Sequence, residues 1–389
     1  MKMKQVVPGV FWGGAVDWNR RLFDSLIPLP DGTSYNAYLI RGKNKTALLD
    51  SVDPEKINFL MSQLEGVDKI DYLISQHAEQ DHSGALPQLL AKYPNAKVVA
   101  SSRATGMLVD HLELKESSIV AVADGETLDL GGKTLEFLYT PWVHWPETMC
   151  TYLKEDEILF SCDFFGSHLA TSSLYASAEP LVMDAAKRYY AEIMMPFRPS
   201  IRKNVEKVTE RKFKLIAPSH GPIFDKPETI VDAYKDWISD KVKNEVVLPY
   251  ISMHGSTQMM VDHLVSALVE RGVKVHLFDL VVTDIGKLAI SLVDAATIVI
   301  GAPTVQVGPH PVVYFATHLA NALKPKMRYA SVVGSYGWNS KAVEQIAGLI
   351  PNLKVELLPP VMCRGVPRAD TFVALDTLAA AIAERHASL

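Results

Sequence analysis

Residues 70–84, IDYLISQHAEQDHSG, join an apolar run to a cluster of side chains that can bind metal. The apolar part is typical of a buried strand, and the polar part follows where that strand should end. On an extended or turning loop, alternate side chains point the same way, so His77, Glu79 and Asp81 can converge. His82 can add a ligand there without adding charge. The segment therefore predicts a metal-binding loop at the end of a strand.

Side chains of the same kind recur at or near the ends of later predicted strands, namely His144, Asp163 after EILFSC and His220 after KLIAPS. Structural zinc sites prefer cysteine and histidine in four-coordinate geometry. Imidazoles mixed with carboxylates and open positions are instead typical of iron, and a carboxylate can bridge two cations. Any one of these residues alone could be a solvated loop charge or a cap, but the whole set predicts a metal pair.

Composition argues against several other classes of protein. The 389 residues suggest two or three domains, and the net charge of −5 gives no electrostatic reason for a nucleic-acid partner. No apolar run reaches the roughly 18 residues that a membrane helix needs. The N-terminal MKMKQVVPGVFWGG lacks the apolar core of a signal peptide. We therefore expect a cytoplasmic protein that binds neither nucleic acid nor membrane.

The three cysteines, Cys150, Cys162 and Cys363, form no C-x-x-C pair. The chain itself therefore offers no rubredoxin-type or four-cysteine iron–sulfur site, and an odd, sparse count argues against a disulfide framework. Buried apolar thiols are their expected role.

The hydrophobic pattern changes near residue 245. Short apolar runs alternate with turns and a few helices before it, whereas five longer apolar runs follow it: EVVLPYIS, KVHLFDL, ATIVIGAP, YASVVGS and KVELLP. Amphipathic helical patterns lie near 256–272, 309–323, 339–350 and 370–386. Such runs indicate parallel strands buried on both faces, and the crossovers imply a doubly wound five-stranded α/β sheet. We predict a first domain of residues 1–245 and a second of residues 246–389, with a hinge at 240–245.

Three loops of the second domain are predicted to gather at the carboxyl edge of its sheet, near the point where the winding reverses. Hydroxyls and a glycine before a helix suit an anion, and the lack of dinucleotide and nucleoside triphosphate motifs favours a monophosphate. Either loop aromatic could stack on a flat ring or belong to the core. The candidate residues are Ser252, Met253, His254, Gly255, Ser256, Thr257, Pro303, Thr304, Val305, Gln306, Ser335, Tyr336, Gly337 and Trp338.

The N-terminal half resembles the metallo-β-lactamase fold, an αββα sandwich whose usual motif is H-x-H-x-D-H. Glu79 stands where that motif has its second histidine, as in the flavodiiron proteins, or A-type flavoproteins. Here 62 residues separate Asp81 from His144, and 18 separate His144 from Asp163, as in that family. The 56 residues between Asp163 and His220 are fewer than the family's gap of about 60, which suggests a loop deletion and not a lost ligand.

The resemblance implies two iron ions with separate ligands. The ligand sets are His77, Glu79 and His144 for one iron, Asp81, His220 and His82 for the other, and Asp163 as the bridge. The family varies in whether the position of His82 reaches the metal, so its role stays open.

The resemblance also implies polar groups beside the irons. His168 and Tyr190 of the Tyr189–Tyr190 pair are the catalytic candidates, and ordinary packing is the alternative for each. Glu192 stands where the family has asparagine, and nothing in the sequence explains that departure.

The three loops after residue 250 resemble the FMN site of flavodoxins. Together the two resemblances imply an enzyme that passes electrons from an external donor through FMN to the irons, where dioxygen is reduced to water, nitric oxide to nitrous oxide, or both. Rubredoxin is the family's usual donor and a reduced deazaflavin a rarer one. In that family the flavin of one subunit lies beside the irons of the other, so a head-to-tail homodimer is implied.

Two other functions stay open from the sequence. A dinuclear zinc hydrolase could be fused to a flavodoxin-like domain, although Glu79 and the flavin loops weigh against it. A pure electron carrier with an inactive first domain is the second, and the complete ligand set weighs against it. Dioxygen and nitric oxide cannot be separated from these residues.

Overall fold

The computed structural model describes residues 2–389, which divide into two compact units. The first unit reaches Ile238 apart from Ala191–Pro196, and that segment together with Ser239–Leu389 forms the second. The predicted boundary between residues 245 and 246 falls inside a strand, Lys243–Tyr250, which belongs wholly to the second unit. Whether the two units fold as independent domains stays a prediction.

Over its described residues, the first unit contains fourteen strands and seven α-helices. The strands are β1 (Lys4–Val7), β2 (Val10–Asp17), β3 (Leu22–Phe23), β4 (Ile27–Pro28), β5 (Thr33–Arg41), β6 (Thr46–Leu49), β7 (Tyr72–Ser75), β8 (Lys97–Ser101), β9 (Ile119–Val122), β10 (Thr127–Asp129), β11 (Thr134–Tyr139), β12 (Met149–Leu153), β13 (Ile158–Cys162) and β14 (Leu215–Pro218). The helices are α1 (Ile57–Gln63), α2 (Gln80–Ser83), α3 (Leu86–Lys92), α4 (Ser102–Leu112), α5 (Val182–Tyr189), α6 (Arg198–Val208) and α7 (Pro227–Ile238). Short 3₁₀ turns lie at Pro54–Lys56, Glu116–Ser118 and Ala176–Ala178. After α5, a π-helical turn at Tyr190–Met194 and a 3₁₀ turn at Met195–Phe197 cover the segment Ala191–Pro196 that belongs to the second unit.

Two sheets pack face to face in this unit, in the orders β1-β2-β5-β6-β7-β8-β9 and β10-β11-β12-β13-β14. Side chains alternate across a strand, so β5 serves two cores at once. Tyr38 and Ile40 join Phe137 and Phe160 in the core between the sheets. Leu39, on the opposite face, joins the cluster that includes apolar residues of α1, α3 and α4. This is the sandwich that the sequence predicted.

The second unit has seven strands and five α-helices. The strands are β15 (Lys243–Tyr250), β16 (Lys274–Asp279), β17 (Ala295–Val305), β18 (Gly308–Pro309), β19 (Tyr329–Tyr336), β20 (Glu356–Leu357) and β21 (Val361–Arg364). The helices are α8 (Ser256–Glu270), α9 (Ile285–Leu292), α10 (Pro311–Leu323), α11 (Ala342–Leu349) and α12 (Ala369–His386). Helix α9 was not predicted.

The sheet of this unit has the order β16-β15-β17-β19, and both β20 and β21 pair with β19 at its far edge. Every pairing is parallel except that of the short β18 with β17. The predicted fifth strand is thus two short pieces, because Pro359 and Pro360 between them have no N–H to donate. The chain winds outward in one direction from β15 to β16 and in the other from β15 to β17, which confirms the doubly wound sheet.

Strand ends of the sandwich position the predicted ligands. Asp163 directly follows β13, His77 closely follows β7 and His220 closely follows β14. His144 lies between β11 and β12. The pairing of β13 with β14 is parallel, so the loops after them leave the same edge.

Among the described residues, no helix combines the length and the apolar character that a membrane-spanning segment requires.

Candidate functional site

One group of four predicted ligands converges on a single point. Nε2 of His77 and Nε2 of His144 each lie 3.1 Å from Oε2 of Glu79. The same two nitrogens lie 3.5 and 3.4 Å from Oδ2 of Asp163. The ligand atoms of all four residues lie within 4.8 Å of one another. This is the spacing of donor atoms that could share one metal ion.

A second group lies beside it. Nε2 of His220 is 3.2 Å from Oδ2 of Asp81 and 3.3 Å from Oδ1 of Asp163. Nε2 of His82 is 3.0 Å from the same Asp163 oxygen and 3.3 Å from Oδ1 of Asp81. His82 therefore points its free edge into the cluster, at the position that the sequence left open.

The carboxylate of Asp163 joins the two groups. Its Oδ2 faces His77 and His144, whereas its Oδ1 faces His82 and His220. Asp163 can therefore bind one cation with each oxygen, as the bridge between two metal ions requires.

The cluster is buried and lacks the hydrogen bonds that buried polar groups normally make. Within the described residues, both carboxylate oxygens of Asp81 and of Asp163 and Nε2 of His82 are buried without a hydrogen-bond partner. Leaving such groups unsatisfied costs several kcal/mol in an apolar interior, about 2–7 kcal/mol for a neutral polar group alone. The donor set therefore fits cations, which would satisfy the facing lone pairs.

Electrostatics favours positive charge in this cluster. Burial alone would lower the pKa of each imidazole, but the carboxylates raise the pKa of His77 and His220 to about 10 and that of His82 and His144 to about 9. Burial would raise the pKa of Asp163, but the imidazoles of His82, His144 and His220 hold it well below its usual range. The imidazoles and carboxylates thus stabilise each other's charged forms, and metal cations would replace the protons.

Two of the imidazoles are oriented by partners on their other nitrogen. Nδ1–H of His77 donates to Oε1 of Glu147 at 2.6 Å, and Nδ1–H of His220 donates to the carbonyl of Ser34 at 2.7 Å. These bonds leave Nε2 of each ring as the lone pair that faces the cluster. Neither Glu147 nor Ser34 was predicted, because a partner set by tertiary contact leaves no spacing signal in the sequence.

His168 lies against the second group. Its ring centroid is 4.8 Å from that of His220, and its Nδ1 lies 2.9 Å from the hydroxyl of Thr33. Burial lowers its pKa well below the usual range, so the ring is neutral. Its Nε2 is buried with no hydrogen-bond partner among the described residues.

The two adjacent tyrosines face different surroundings. The ring of Tyr189 meets that of His168 edge-on with centroids 4.8 Å apart, and burial followed by the charge of Asp163 raises the pKa of Tyr189 well above the usual value. Tyr190, the predicted catalytic residue, packs its ring against Tyr234 and Trp237 and donates to the carbonyl of Trp237 at 3.4 Å. The ring of Tyr189 also lies 6.0 Å from that of His220, which places Tyr189 beside the predicted ligands. A catalytic role for either stays a prediction.

A hairpin that the sequence did not predict lies beside the cluster. Strands β3 and β4 pair antiparallel, and the ring of Phe23 packs at a tilt against that of His168, with centroids 5.0 Å apart. Asp24 and Ser25 at its tip have left-handed backbone angles, with φ of 49° and 54°. Burial raises the pKa of Asp24, and the charges of Glu79 and Asp81 raise it further. The pKa of Asp24 therefore depends on the charges of the nearby predicted ligands Glu79 and Asp81.

The predicted flavin loops lie at one edge of the second sheet, after three adjacent parallel strands. The hydroxyls of Thr257 and Ser335 lie 3.2 Å apart, so the first and third loops meet. Ser252 accepts the N–H groups of Gly255 and Gln258 at 3.2 Å each and closes the first loop. Several predicted loop residues are strand ends, because β17 extends to Val305 and β19 to Tyr336.

This edge fits a phosphate-bearing ligand with a flat ring. Gly255, with φ of 86°, caps the fifteen-residue helix α8, whose N-terminus carries partial positive charge. Trp338 is 76% exposed and Met253 is 48% exposed. Exposed apolar side chains beside hydroxyls and a helix N-terminus suit the ring and phosphate of a mononucleotide.

Both units of the chain recur together in known proteins. Residues 33–221 match the family described as ODP family beta lactamase. The sequence is 35% identical over 393 residues to nitric oxide reductase from Moorella thermoacetica, with 98% of each chain covered. The structure matches rubredoxin oxygen:oxidoreductase from Desulfovibrio gigas with a TM-score of 0.96 and 31% identity, covering 100% of this chain and 99% of that one. It matches the flavodiiron protein from Giardia intestinalis with a TM-score of 0.93 and 27% identity, covering 100% and 97%.

Proposed function

The chain belongs to the flavodiiron proteins, or type A flavoproteins, and from that premise we propose that it is an oxidoreductase that reduces dioxygen to water, nitric oxide to nitrous oxide, or both. Its cofactors are FMN and two non-haem iron ions. When bound, FMN supplies one- and two-electron transfer from an external donor, and the iron pair supplies the site at which the oxidant is reduced.

The observation that carries this proposal is the geometry of Asp163, whose two oxygens face two separate groups of ligands. We propose that His77, Glu79 and His144 bind one iron and that Asp81, His82 and His220 bind the other. The position of Nε2 of His82, 3.0 Å from Asp163, supports its assignment as a ligand. Four imidazoles and three carboxylates give the mixed nitrogen and oxygen donor set that iron prefers.

Turnover at the buried cluster requires protons. Reduction of dioxygen to two waters consumes four protons, and reduction of two nitric oxide molecules to nitrous oxide and water consumes two. The ring of His168 stays neutral with an unpartnered Nε2, and the phenol of Tyr189 keeps its proton beside Asp163, so both side chains can form hydrogen bonds next to the ligand cluster. We propose that these two side chains hydrogen-bond to the reacting oxidant, with Tyr190 as the alternative.

At the other unit, we propose that FMN binds at the three loops after β15, β17 and β19. The N-terminus of α8 with Ser252 to Thr257 would hold the phosphate. Pro303 to Gln306 and Ser335 to Gly337 would line the ring, with Trp338 beside it. The meeting of Thr257 and Ser335 supports this grouping.

The donor, the assembly and the location are further proposals. A small rubredoxin is our proposed donor, supported by the name of the Desulfovibrio gigas relative. A head-to-tail homodimer is supported by family membership alone, and two-fold dimers are the commonest oligomers. We propose that the protein is located in the cytoplasm, and its three buried free cysteines support this because the cytoplasm keeps thiols reduced.

The zinc hydrolase is not favoured. Glu79 replaces the second histidine of the hydrolase motif, and relatives that match the whole chain are named as oxidoreductases. The pure electron carrier is also disfavoured, because every predicted ligand converges on the cluster.

Metal and flavin analysis of the purified protein tests the proposal directly. We expect about two iron ions and one FMN per chain, and consumption of dioxygen or nitric oxide when reduced rubredoxin is supplied. Two zinc ions with no iron, or iron without turnover of either oxidant, would overturn it. Parallel assays with the two oxidants then measure which one the enzyme prefers.

A further inference from the structure

Glu147 connects the loops that carry two ligands of the same proposed iron. It lies three residues after His144, yet its Oε1 accepts Nδ1–H of His77 at 2.6 Å and the backbone N–H of Ala78 at 3.0 Å. One carboxylate oxygen therefore fixes both the ring and the following backbone of the loop after β7. The positions of His77 and His144 are coupled through this contact.

The backbone around Glu147 is itself tightly held. Ser101 donates its hydroxyl to the Glu147 carbonyl at 2.6 Å, and Met149 donates its N–H to the carbonyl of Gln76 at 3.0 Å. The indole of Trp145 meets the His77 ring edge-on, with centroids 5.0 Å apart. The His77 imidazole is thus confined on its Nδ1 edge by Glu147 and on another side by Trp145.

Burial of the Glu147 side chain is energetically unfavourable. Its side chain is 0% exposed, and its Oε2 has no hydrogen-bond partner within the described residues. Its Oε1 accepts two N–H groups, from His77 and Ala78, which favours the ionised form of the carboxyl group. A half-satisfied buried charge is unfavourable for stability and is typical of a site shaped by function.

The second proposed iron has no equivalent group on His220. Nδ1–H of His220 donates to the neutral carbonyl of Ser34. A hydrogen bond to a charged acceptor is roughly twice as strong as a neutral one, and a carboxylate partner makes the imidazole a stronger metal ligand. The two iron sites therefore differ in the donor strength of these histidines.

We propose that Glu147 is a positioning residue that makes the two iron sites unequal, by orienting His77 and strengthening metal binding at the site formed with Glu79 and His144. This inference rests on the proposed iron pair. It assigns to the site of His77 the tighter of the two metal-binding steps.

Titration of the metal-free protein with ferrous iron alone, without oxygen, tests the inference. We expect two resolved binding steps in the natural protein. Glu147→Gln keeps the size and an acceptor oxygen but removes the charge, and should weaken one step about 10–100-fold while the other changes little. Mössbauer spectra of the fully loaded ferrous proteins should differ in one of the two iron signals.

Two further variants separate positioning from general destabilisation. Glu147→Asp keeps the charge and should bind iron more nearly like the natural protein than Glu147→Gln does. Glu136→Gln makes the same chemical change at a largely buried carboxylate that pairs with Arg211 at 2.6 Å, and both binding steps should be unchanged. Thermal unfolding of each metal-free variant checks that it is folded.

Equal weakening of both steps in Glu147→Gln would show a structural role, and unchanged steps would show no role. Either result overturns the inference and leaves the proposed function standing. A natural protein that fails to bind two ferrous ions would instead overturn the proposed function.

Discussion

The metal centre and the flavin loops both lie at strand ends, but they are built in different ways. The proposed ligands His77, Asp163 and His220 are at most 1% exposed, and specific side-chain atoms converge within hydrogen-bond distances. The flavin loops instead present backbone, hydroxyls and exposed apolar side chains such as Trp338. Replacing one ligand atom should therefore abolish most of the activity of the metal centre, whereas a single substitution in the flavin loops should lower FMN affinity only in part.

The sharpest test of this difference is Asp163→Asn. The amide can offer one oxygen to one group of ligands but no charged bridge between the two groups. We expect reduction of dioxygen or nitric oxide to fall on the order of 10³-fold, equivalent to about 4 kcal/mol of barrier. Flavin reduction by the donor should be unchanged, which stopped-flow absorbance at the flavin band measures separately from oxidant consumption.

Iron content of the Asp163→Asn protein is the necessary companion measurement. Turnover that survives with two irons bound would remove the bridging role. Flavin reduction that falls along with turnover would show that the two sites are not independent, and the contrast between them would fail.

The sequence could predict which side chains converge in this cluster, because metal binding requires particular side chains at particular spacings. His77, Glu79, Asp81, His144, Asp163 and His220 all converge in the structure, and the edge of His82 does as well. The sequence did not predict which residues hydrogen-bond to these side chains. Ser34 and Glu147 contact ligands through the packing of distant strands and loops, and a backbone carbonyl such as that of Ser34 has no signature in the sequence.

Local geometry limited the prediction elsewhere. α5 gives way to a π-helical turn at Tyr190, so two adjacent tyrosines point to different surroundings, and sequence alone does not say which one faces the metals. The five strands of the second unit were recognised from their apolar runs. Their ends were misjudged because β17 and β19 continue into residues that resemble loop sequence, and because two prolines divide the last strand.

Removal of the metals should destabilise the first unit selectively. Without cations, buried carboxylates and imidazoles face each other with unpartnered atoms. A ligand present at 100–1,000 times its dissociation constant stabilises the folded state by about 3–4 kcal/mol. We expect a chelator to lower the unfolding midpoint of the sandwich while flavin release keeps its own midpoint. Calorimetry with simultaneous flavin fluorescence distinguishes the two, and a shared shift would contradict the separation.

At the flavin site, Gly255→Ala should have a smaller and graded effect. A side chain at this left-handed position, φ 86°, meets nothing within 4 Å, so the cost is backbone strain of about 1–2 kcal/mol. Strain at the cap of α8 should disturb the phosphate-binding turn and weaken FMN affinity about tenfold, as measured by titration of the flavin-free protein.

Gly272→Ala is the matched control for Gly255→Ala. Gly272 follows the other end of α8, has φ of 73° and also has nothing within 4 Å of an added Cβ. It should cost similar stability and leave FMN affinity unchanged. Equal loss of affinity in the two variants would mean that the effect is general and that the helix N-terminus does not hold the phosphate.

The smallest effect is expected at His386, far from both sets of predicted site residues in the sequence. Its ring is buried between Asn244 and Thr297, with hydrogen-bond distances of 2.8 and 2.7 Å, and burial lowers its pKa. Above the ordinary pKa of about 6.5 the ring is neutral in both folded and unfolded chains, so it adds no pH dependence. Below that value the unfolded chain takes up a proton that the folded chain does not, and the free energy of unfolding falls as the pH falls. Urea unfolding of the second unit at pH 8, 7, 6 and 5 should show this decline in the natural protein and a weaker one in His386→Gln. Because no proposed metal ligand lies in that unit, chelation should leave this dependence of the unfolding free energy on pH unchanged. A pH dependence that disappears when the metals are removed would instead be assigned to the histidines of the first unit.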